Sequence, residues 1–282
     1  MYSVISVTKI APGISRLEVE APLIAKKRKP GNFVIVMPSE KGERIPLTIV
    51  ESDEQRGTIT LIVQAIGKTT HIINNMVAGD SFTDVVGPLG EPTPVDNVGT
   101  VVCVGGGVGT AVIYPMAKAL KEAGNRVIGI IGSKNREMII LEDEMRQCTD
   151  ELYITTDDGS YGLKGFVTDA LRLVIEENES IQSVYTTGPL PMMKAVAELT
   201  RKSNVHTLAS LNPIMMDGTG MCGACRVIVD DELKFTCVDG PEFDAHKVNF
   251  DELILRNKTY FDQERKAMDS YREFCKARGA YV

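Results

Sequence analysis

Three cysteines lie close together in the segment DGTGMCGACRVIVDDELKFTC, toward the end of the chain. Cys222 and Cys225 have two residues between them, and Cys237 follows after eleven more. A tight glycine-bearing loop can direct both sulfurs of the first pair at one metal centre, and the third cysteine returns from a hairpin. Plant-type [2Fe–2S] sites use the spacing C-x4-C-x2-C, in which Asp217 takes the first position here. The spacing therefore predicts a [2Fe–2S] cluster, with Asp217 as a carboxylate ligand.

Two other interpretations of this segment are a structural zinc site and free thiols. Structural zinc sites use four nitrogen or sulfur ligands, and no fourth cysteine or paired histidine stands at the usual distance. His206 and His246 keep zinc open as an alternative. Three of the six cysteines fall in this one stretch, which does not favour the evenly spread disulfides of a small secreted protein.

A second candidate site is the run GGGVGT, which follows an apolar strand and opens a helix. Glycines let backbone amides approach a pyrophosphate, and a helix N-terminus favours an anion. The later turns TTDDGSYG and TTGPLPMM also follow strands, and such turns at the carboxyl edge of a parallel sheet form a ligand crevice. The alternative is a tight turn that holds no ligand. The predicted nucleotide-binding residues are Gly105, Gly106, Gly107, Val108, Gly109, Thr110, Asp157, Asp158, Gly188, Pro189 and Met192.

The choice between NAD and NADP stays open at this stage. Lys134 and Arg136 follow the next strand, where a 2′-phosphate would be recognised, but both are equally compatible with a solvated surface.

A third candidate site lies in the runs RIPLTIV and IVQAIGKTT. Thr48 places a hydroxyl on a strand, and Gly67, Thr69 and Thr70 offer amides and hydroxyls suited to a diphosphate. These runs are equally compatible with ordinary barrel strands. They indicate a flavin site only in combination with the nucleotide loop.

The order of secondary-structure signals predicts a β barrel joined to an α/β domain. Residues 1–97 read as short strands with close turns, typical of an antiparallel barrel, here a flavin-binding one. Residues 98–210 alternate strands with helices, which indicates a doubly wound parallel sheet. Residues 211–250 form a small iron–sulfur module, and 251–282 a charged C-terminal segment that either contacts a partner or is a solvated helical tail. Two local expectations are a single strand over 44–53 and a single helix over 136–148.

The charge and the apolar pattern of the chain argue against several classes of function. The formal net charge is −7, which argues against a nucleic-acid binder. No secretory signal is visible, and no apolar run reaches the roughly 18 residues that a membrane span needs. We therefore expect a cytoplasmic protein with neither nucleic acid nor membrane as a partner.

Taken together, the flavin barrel, the GGGVG domain and the cysteine motif resemble the ferredoxin–NADP reductase superfamily over nearly the whole chain. Their order resembles the electron-transfer subunits of dihydroorotate dehydrogenase B, which carry four cysteines in the cluster motif. Asp217 in that motif is closer to the small subunits of NADH-dependent reduced ferredoxin:NADP oxidoreductase, also known as sulfide dehydrogenase subunits. That resemblance implies FAD, an NAD(H) site with NADP(H) possible, and a [2Fe–2S] cluster on Asp217, Cys222, Cys225 and Cys237.

The resemblance also implies flavin-binding roles for individual residues. Pro46, Leu47 and Thr48 would lie at the isoalloxazine ring, with Ile62, Val63 and Gln64 along the flavin and Thr69 and Thr70 at its diphosphate. Two positions depart from the superfamily motif. Its arginine falls on Ile45, whereas this chain has Arg44 one residue earlier, and its aromatic residue is replaced by Leu47.

The function implied is an oxidoreductase subunit that moves electrons between NAD(H), FAD and the cluster within an electron-bifurcating complex. Its partner would be a larger subunit with its own flavin and [4Fe–4S] clusters, through which ferredoxin is reached indirectly. Because the cofactors supply the redox chemistry, no catalytic acid or base is assigned. The alternatives are a dihydroorotate dehydrogenase B-type complex and a redox-sensing nucleotide-binding regulator.

Overall fold

The computed structural model describes residues 1–40, 42–178 and 180–277. The N-terminal part is an antiparallel barrel made of a five-stranded sheet, ordered β5-β6-β2-β1-β7, and a three-stranded sheet, ordered β4-β3-β8. Its elements are β1 (Tyr2–Ala11), β2 (Ile14–Glu20), α1 (Pro22–Lys27), β3 (Phe33–Met37), β4 (Ile45–Thr48), β5 (Glu51–Asp53), β6 (Thr58–Gln64), α2 (Lys68–Asn74), β7 (Ser81–Phe82) and β8 (Asp84–Leu89).

Period-two alternation builds the barrel core. Leu17 and Val19 of β2 face inward with Ile59 and Leu61 of β6, and all four are fully buried. The expectation of a single strand over 44–53 is wrong. The chain forms β4 in one sheet and β5 in the other, because Ile49 and Val50 cross between the sheets with their side chains buried.

The middle of the chain forms the expected doubly wound sheet, ordered β12-β11-β10-β9-β13-β14-β17. Val101 and Cys103 of its central strand pack with helix α3, while Val102 and Val104 pack with α5 and α6 on the other face. The elements are β9 (Thr100–Gly106), α3 (Thr110–Glu122), β10 (Arg126–Ser133), α4 (Glu142–Cys148), β11 (Glu151–Thr156), β12 (Leu163–Lys164), α5 (Val167–Glu177), β13 (Ser183–Thr187), α6 (Leu190–Lys202) and β14 (His206–Ser210).

The single helix expected over 136–148 is also wrong. A short 3-10 turn covers Arg136–Met138, and α4 begins only at Glu142. Leu141 between them adopts a left-handed φ of 57°, which stops a helix from running through. The break lets Ile140 and Leu141 turn into the core beneath α3.

The cysteine segment is a hairpin that leads back to the nucleotide sheet. Its elements are β15 (Arg226–Val229), β16 (Glu232–Phe235), α7 (Thr236–Asp239) and β17 (Glu242–Asp244), and β17 pairs antiparallel with β14. Two helices follow, α8 (Phe250–Asn257) and α9 (Phe261–Ala277). Helix α8 packs on α6 and β15, and α9 lies against α2 of the barrel. Both C-terminal helices therefore contact the body of the chain.

Within the three described ranges, no helix is both long enough and apolar enough to cross a bilayer.

Polar contacts tie the barrel to the nucleotide domain. The Tyr114 hydroxyl of α3 donates to Glu51 of β5 at 3.0 Å, and Arg16 of β2 donates to Glu144 of α4 at 3.2 Å. These contacts link helices of one domain to strands of the other, so the two halves share one interface.

One half-buried carboxylate lies where the three parts of the chain meet. Glu242 of β17 accepts a hydrogen bond from the Thr93 hydroxyl, in the connection between barrel and sheet, at 2.9 Å. Its other oxygen, Oε1, is buried and has no hydrogen-bond partner. Burial raises the pKa of Glu242 from 4.5 to about 7, and the hydroxyls of Thr93 and Ser210 only partly oppose this.

Glu242 should make the protein less stable as the pH rises. Because its folded-state pKa is the higher one, the folded chain holds the proton while the unfolded chain releases it, and stability falls between pH 4.5 and about 7. The cumulative effect is at most about 3 kcal/mol. In Glu242→Gln this loss should disappear, as measured by urea unfolding at a series of pH values. The exposed Glu91→Gln serves as control, and parallel profiles for parent and Glu242→Gln would contradict the assignment.

Candidate redox cofactor site

A cavity of about 1200 Å³ lies between the barrel and the carboxyl edge of the nucleotide sheet. Residues from both domains line it, and Met215 of the cysteine segment completes the wall. Those predicted as cofactor-binding are Pro46, Leu47, Thr48, Ile62, Gln64, Gly106, Gly107, Val108, Gly109, Asp157, Gly188, Pro189 and Met192. The fold thus brings residues of the two predicted cofactor sites into one cavity.

The glycine run joins β9 to α3 at the floor of this cavity. Gly107 has a φ of +57°, and a Cβ added there would meet no atom within 4 Å, so its missing side chain leaves space in the cavity. Gly109 serves packing instead, because a Cβ there would lie 2.5 Å from the Thr187 carbonyl oxygen. Gly105 and Thr110 lie below the cavity wall, and Asp158 turns away to accept hydrogen bonds from Ser160.

Strands β4 and β6 form the barrel side of the cavity. Pro46, Leu47 and Thr48 are half-buried along β4, whereas Val63 of β6 points into the barrel core. Arg44 does not line the cavity and pairs with Asp84 at 2.8 Å.

The predicted diphosphate residues lie at the start of α2, beyond the cavity lining. Gly67 is the N-cap of this helix, and the Thr70 hydroxyl accepts from the amides of Ile66 and Gly67 at 2.9 and 3.0 Å. The Thr69 side chain is buried and donates to Glu43. The two hydroxyls are thus engaged in organising this loop.

Several lining residues were not identified from the sequence. Phe33 opens β3, Phe166 precedes α5, and Asn212 and Met215 follow β14. No local sequence pattern marks these residues as cavity-lining, and Phe166 stands out only in the structure, where its side chain is 63% exposed. Lys134 lines the cavity, whereas Arg136 stacks on the Tyr161 ring at 5.2 Å and does not.

The cysteine loop holds its four predicted ligands as two pairs. The Sγ atoms of Cys225 and Cys237 lie 3.2 Å apart, and both residues are buried. Asp217 lies at the exposed end of the loop with Cys222, whose backbone amide donates to the Asp217 carboxylate at 3.0 Å. A second amide, that of Thr219, donates to the same carboxylate at 2.9 Å. These bonds lower the pKa of Asp217, so the carboxylate is held ionised.

This arrangement fits a two-iron cluster better than a single metal ion. Among the residues that the structure describes, no three His, Cys, Asp or Glu side chains converge on one point, as a structural zinc ion requires. A [2Fe–2S] cluster has two irons that share four protein ligands, so it accepts ligands arranged in pairs. Burial and the Cys225 thiol raise the pKa of Cys237, and metal binding would displace that proton.

An apolar wall connects the buried thiols to the cavity. Cys225 and Cys237 belong to one hydrophobic cluster with Phe33, Ile35 and Met215, of which Phe33 and Met215 also line the cavity. The two predicted redox sites are therefore separated by a single layer of side chains.

Comparison with known proteins shows the fold class of this chain and the domains that it contains. The fold is that of the ferredoxin reductase-like proteins. Phthalate dioxygenase reductase shares it with a TM-score of 0.58 over 81% of this chain and 85% of that one, at 19% identity. The model of the oxidoreductase NAD-binding domain matches residues 103–198, and that of the iron–sulfur cluster binding domain of dihydroorotate dehydrogenase B matches 212–249.

More similar proteins identify the family. The dihydroorotate dehydrogenase B (NAD(+)) electron transfer subunit homolog of Thermotoga maritima is 44% identical over 279 residues, covering 99% of this chain and 97% of that one. The electron transfer subunit from Geobacillus thermodenitrificans is 34% identical, covering 87% and 96%. A chain from the NADH-dependent reduced ferredoxin–NADP oxidoreductase structure, studied for flavin-based electron bifurcation, is 43% identical with a TM-score of 0.91, covering 96% and 98%. This chain belongs to the family of dihydroorotate dehydrogenase B electron-transfer subunits and their homologues, which are oxidoreductase subunits.

Gly107→Ala should impair nucleotide binding more than folding. A non-glycine residue in the left-handed region costs about 1–2 kcal/mol, and the added methyl group would occupy the cavity floor. We expect NADH affinity to fall at least about tenfold, as measured by fluorescence titration. Gly13→Ala is the matched control, because Gly13 has a φ of +68° with open space around it, outside the cavity lining. Equal losses of affinity in both variants would show that the glycine loop does not hold the nucleotide.

Proposed function

We propose that the chain is a flavin and iron–sulfur electron-transfer subunit that moves electrons between NAD(H), FAD and a [2Fe–2S] cluster. The observation that carries the proposal is the single cavity. It is lined by the glycine loop on one side and by β4 and β6 on the other, and Phe33 and Met215 of its wall belong to the same apolar cluster as Cys225 and Cys237. Such a layout favours electron transfer, because a shared apolar wall places the cysteine site next to the cavity.

Residues of the two domains would hold the two organic cofactors against each other. The amides of 106–109 and the turn at Gly188 would bind the nucleotide, with Asp157 and Lys134 beside it. Pro46, Leu47 and Thr48 would position the flavin ring, and the loop before α2 its diphosphate. When bound, the flavin accepts a hydride from the nicotinamide and passes electrons on to the cluster. The side chains contribute orientation and exclusion of water.

We further propose that the pairs seen in the cysteine loop are the ligand pairs of the two irons. Cys225 and Cys237 would hold the buried iron beside Met215, and Asp217 and Cys222 the exposed one. Carboxylate oxygen is a harder ligand than thiolate. The cluster would therefore have two electronically different ends, with the all-cysteine iron toward the cavity.

We assign the chain to an electron-bifurcating complex of the NADH-dependent reduced ferredoxin:NADP oxidoreductase type. The assignment is supported by the 43% identity and TM-score of 0.91 over nearly the whole chain, together with Asp217 in the cluster motif. The partner would be a larger subunit carrying flavin and [4Fe–4S] clusters, with ferredoxin acting through it. The second candidate is a dihydroorotate dehydrogenase B-type complex, favoured by the names of several relatives. The large subunit that copurifies distinguishes the two.

Anaerobic purification tests the cofactor content directly. We expect about two irons and about one FAD per chain, with visible absorption that bleaches on addition of NADH. Metal analysis, flavin release and absorption spectroscopy measure these quantities. Zinc in place of iron, or a chain without flavin, would refute the electron-transfer proposal. Bound cofactors that NADH fails to reduce would instead favour a nucleotide-binding regulator.

Asp217→Cys tests the carboxylate ligand. Exchanging oxygen for sulfur at one iron should alter the visible absorption and electron paramagnetic resonance spectra of the cluster while the iron content is retained. Asp262→Cys introduces a thiol on the exposed surface of α9, outside the cysteine loop, and should leave both spectra unchanged. Identical spectra for Asp217→Cys and the parent protein would move the fourth ligand elsewhere.

A further inference from the structure

Glu242 is a half-buried acid that the proposed electron path does not use. It lies immediately behind the cavity wall, since its neighbours Pro241 and Ser210 both line the cavity. Ser210 is its register partner across β14 and β17. From the barrel side, a Cβ on Gly31 would come within 3.2 Å of its Oε1 atom. All three parts of the chain therefore enclose this one carboxylate.

The surroundings of Glu242 leave its negative charge poorly compensated. Among the residues that the structure describes, the groups that oppose its raised pKa are the neutral hydroxyls of Thr93 and Ser210, and no lysine, arginine or histidine pairs with it. Oε1 is buried and unpartnered. The titratable group that faces it is Tyr185 of β13, a neutral phenol whose pKa is raised to about 12 by burial and by the Cys103, Glu242 and Asp96 groups. A carboxylate in this position is sensitive to any additional negative charge nearby.

We propose that Glu242 is the redox-linked proton acceptor of this subunit, taking up a proton from solvent when the cofactors in the adjacent cavity are reduced. The inference rests on the proposed function and deepens it. The electrons come from the nicotinamide donor, whose C–H bond breaks as its hydride is transferred to the flavin. The proton comes from solvent and forms the O–H bond of the carboxylic acid. Glu242 acts through its charge from behind the cavity wall, so it is not a catalytic residue.

The coupling follows from Coulomb's law in a poorly solvated site. Each electron placed in the cavity adds negative charge near Glu242, which favours its protonated form. Because its pKa is raised to about 7, the group is about half protonated at neutral pH, and a further rise makes it largely protonated. By linkage, protonation must in turn make reduction more favourable. Some solvent contact remains at the residue, which lets the proton exchange.

Proton uptake on reduction tests the proposal. Holoprotein in weak buffer is reduced anaerobically with dithionite, which does not need the nicotinamide site, and the pH change is read with an indicator dye across pH 6 to 8. We expect Glu242→Gln to lose up to about one proton of uptake per chain around neutral pH. Glu91→Gln, an exposed acid in the connection next to Gly240, should behave as the parent protein.

A second variant keeps the test decisive if Glu242→Gln loses its cofactors. Thr93→Val removes the hydroxyl that stabilises the carboxylate, so the uptake should move to higher pH with its amplitude retained. Full uptake in Glu242→Gln, or an unshifted profile in Thr93→Val, overturns the role of Glu242. Cofactors that dithionite reduces but NADH does not would refute the proposed function alone, and the uptake measurement would still decide the role of Glu242.

Discussion

The close packing of the cysteine loop against the barrel is the constraint on which the site depends. Gly218 approaches strands β3 and β8 so closely that a Cβ there would lie 2.5 Å from Leu89 and 2.9 Å from Ile35. This approach places Cys225 and Cys237 in the same apolar cluster as Phe33. If the loop stood off by the width of one side chain, water would enter between the predicted flavin and cluster sites. The loop therefore belongs to the wall of the cavity as much as to the cluster.

The pairing of β17 with β14 also leaves the charge of the Glu242 carboxylate poorly compensated. Bringing β17 back to β14 completes the sheet, but it also removes much of a carboxylate from water with only neutral hydroxyls beside it. Desolvation of this kind is costly, and proteins retain it most readily where a variable protonation state is useful. Closure of the fold therefore places a titratable group beside the cavity, which supports the proposed role of Glu242.

Much of this architecture could be predicted from the sequence, because hydrophobic periodicity and turn residues act locally. The alternation in β2 and β6 and the GGGVGT turn identified the barrel and the doubly wound sheet. The two wrong predictions, a single strand over 44–53 and a single helix over 136–148, concern features that tertiary packing determines. The helix break at Leu141 and the crossing of the chain between the two sheets at Ile49 depend on burial against distant segments. No local sequence pattern therefore predicts them. Likewise Phe33 and Met215 are ordinary apolar residues until the fold places them between the cavity and the thiols.

The asymmetry of the cysteine loop gives physical meaning to the aspartate that sets this chain apart from a four-cysteine motif. Cys225 and Cys237 are buried in apolar surroundings, whereas Asp217 is half-buried beside the exposed Cys222 and accepts hydrogen bonds from two backbone amides. A carboxylate suits the solvated end because it is stabilised there as an anion, while at the buried end it would incur the desolvation that Glu242 suffers. The position of the proposed oxygen ligand is therefore consistent with the burial gradient across the loop. A thiolate, which is softer and more easily buried, is the ligand that belongs beside Met215.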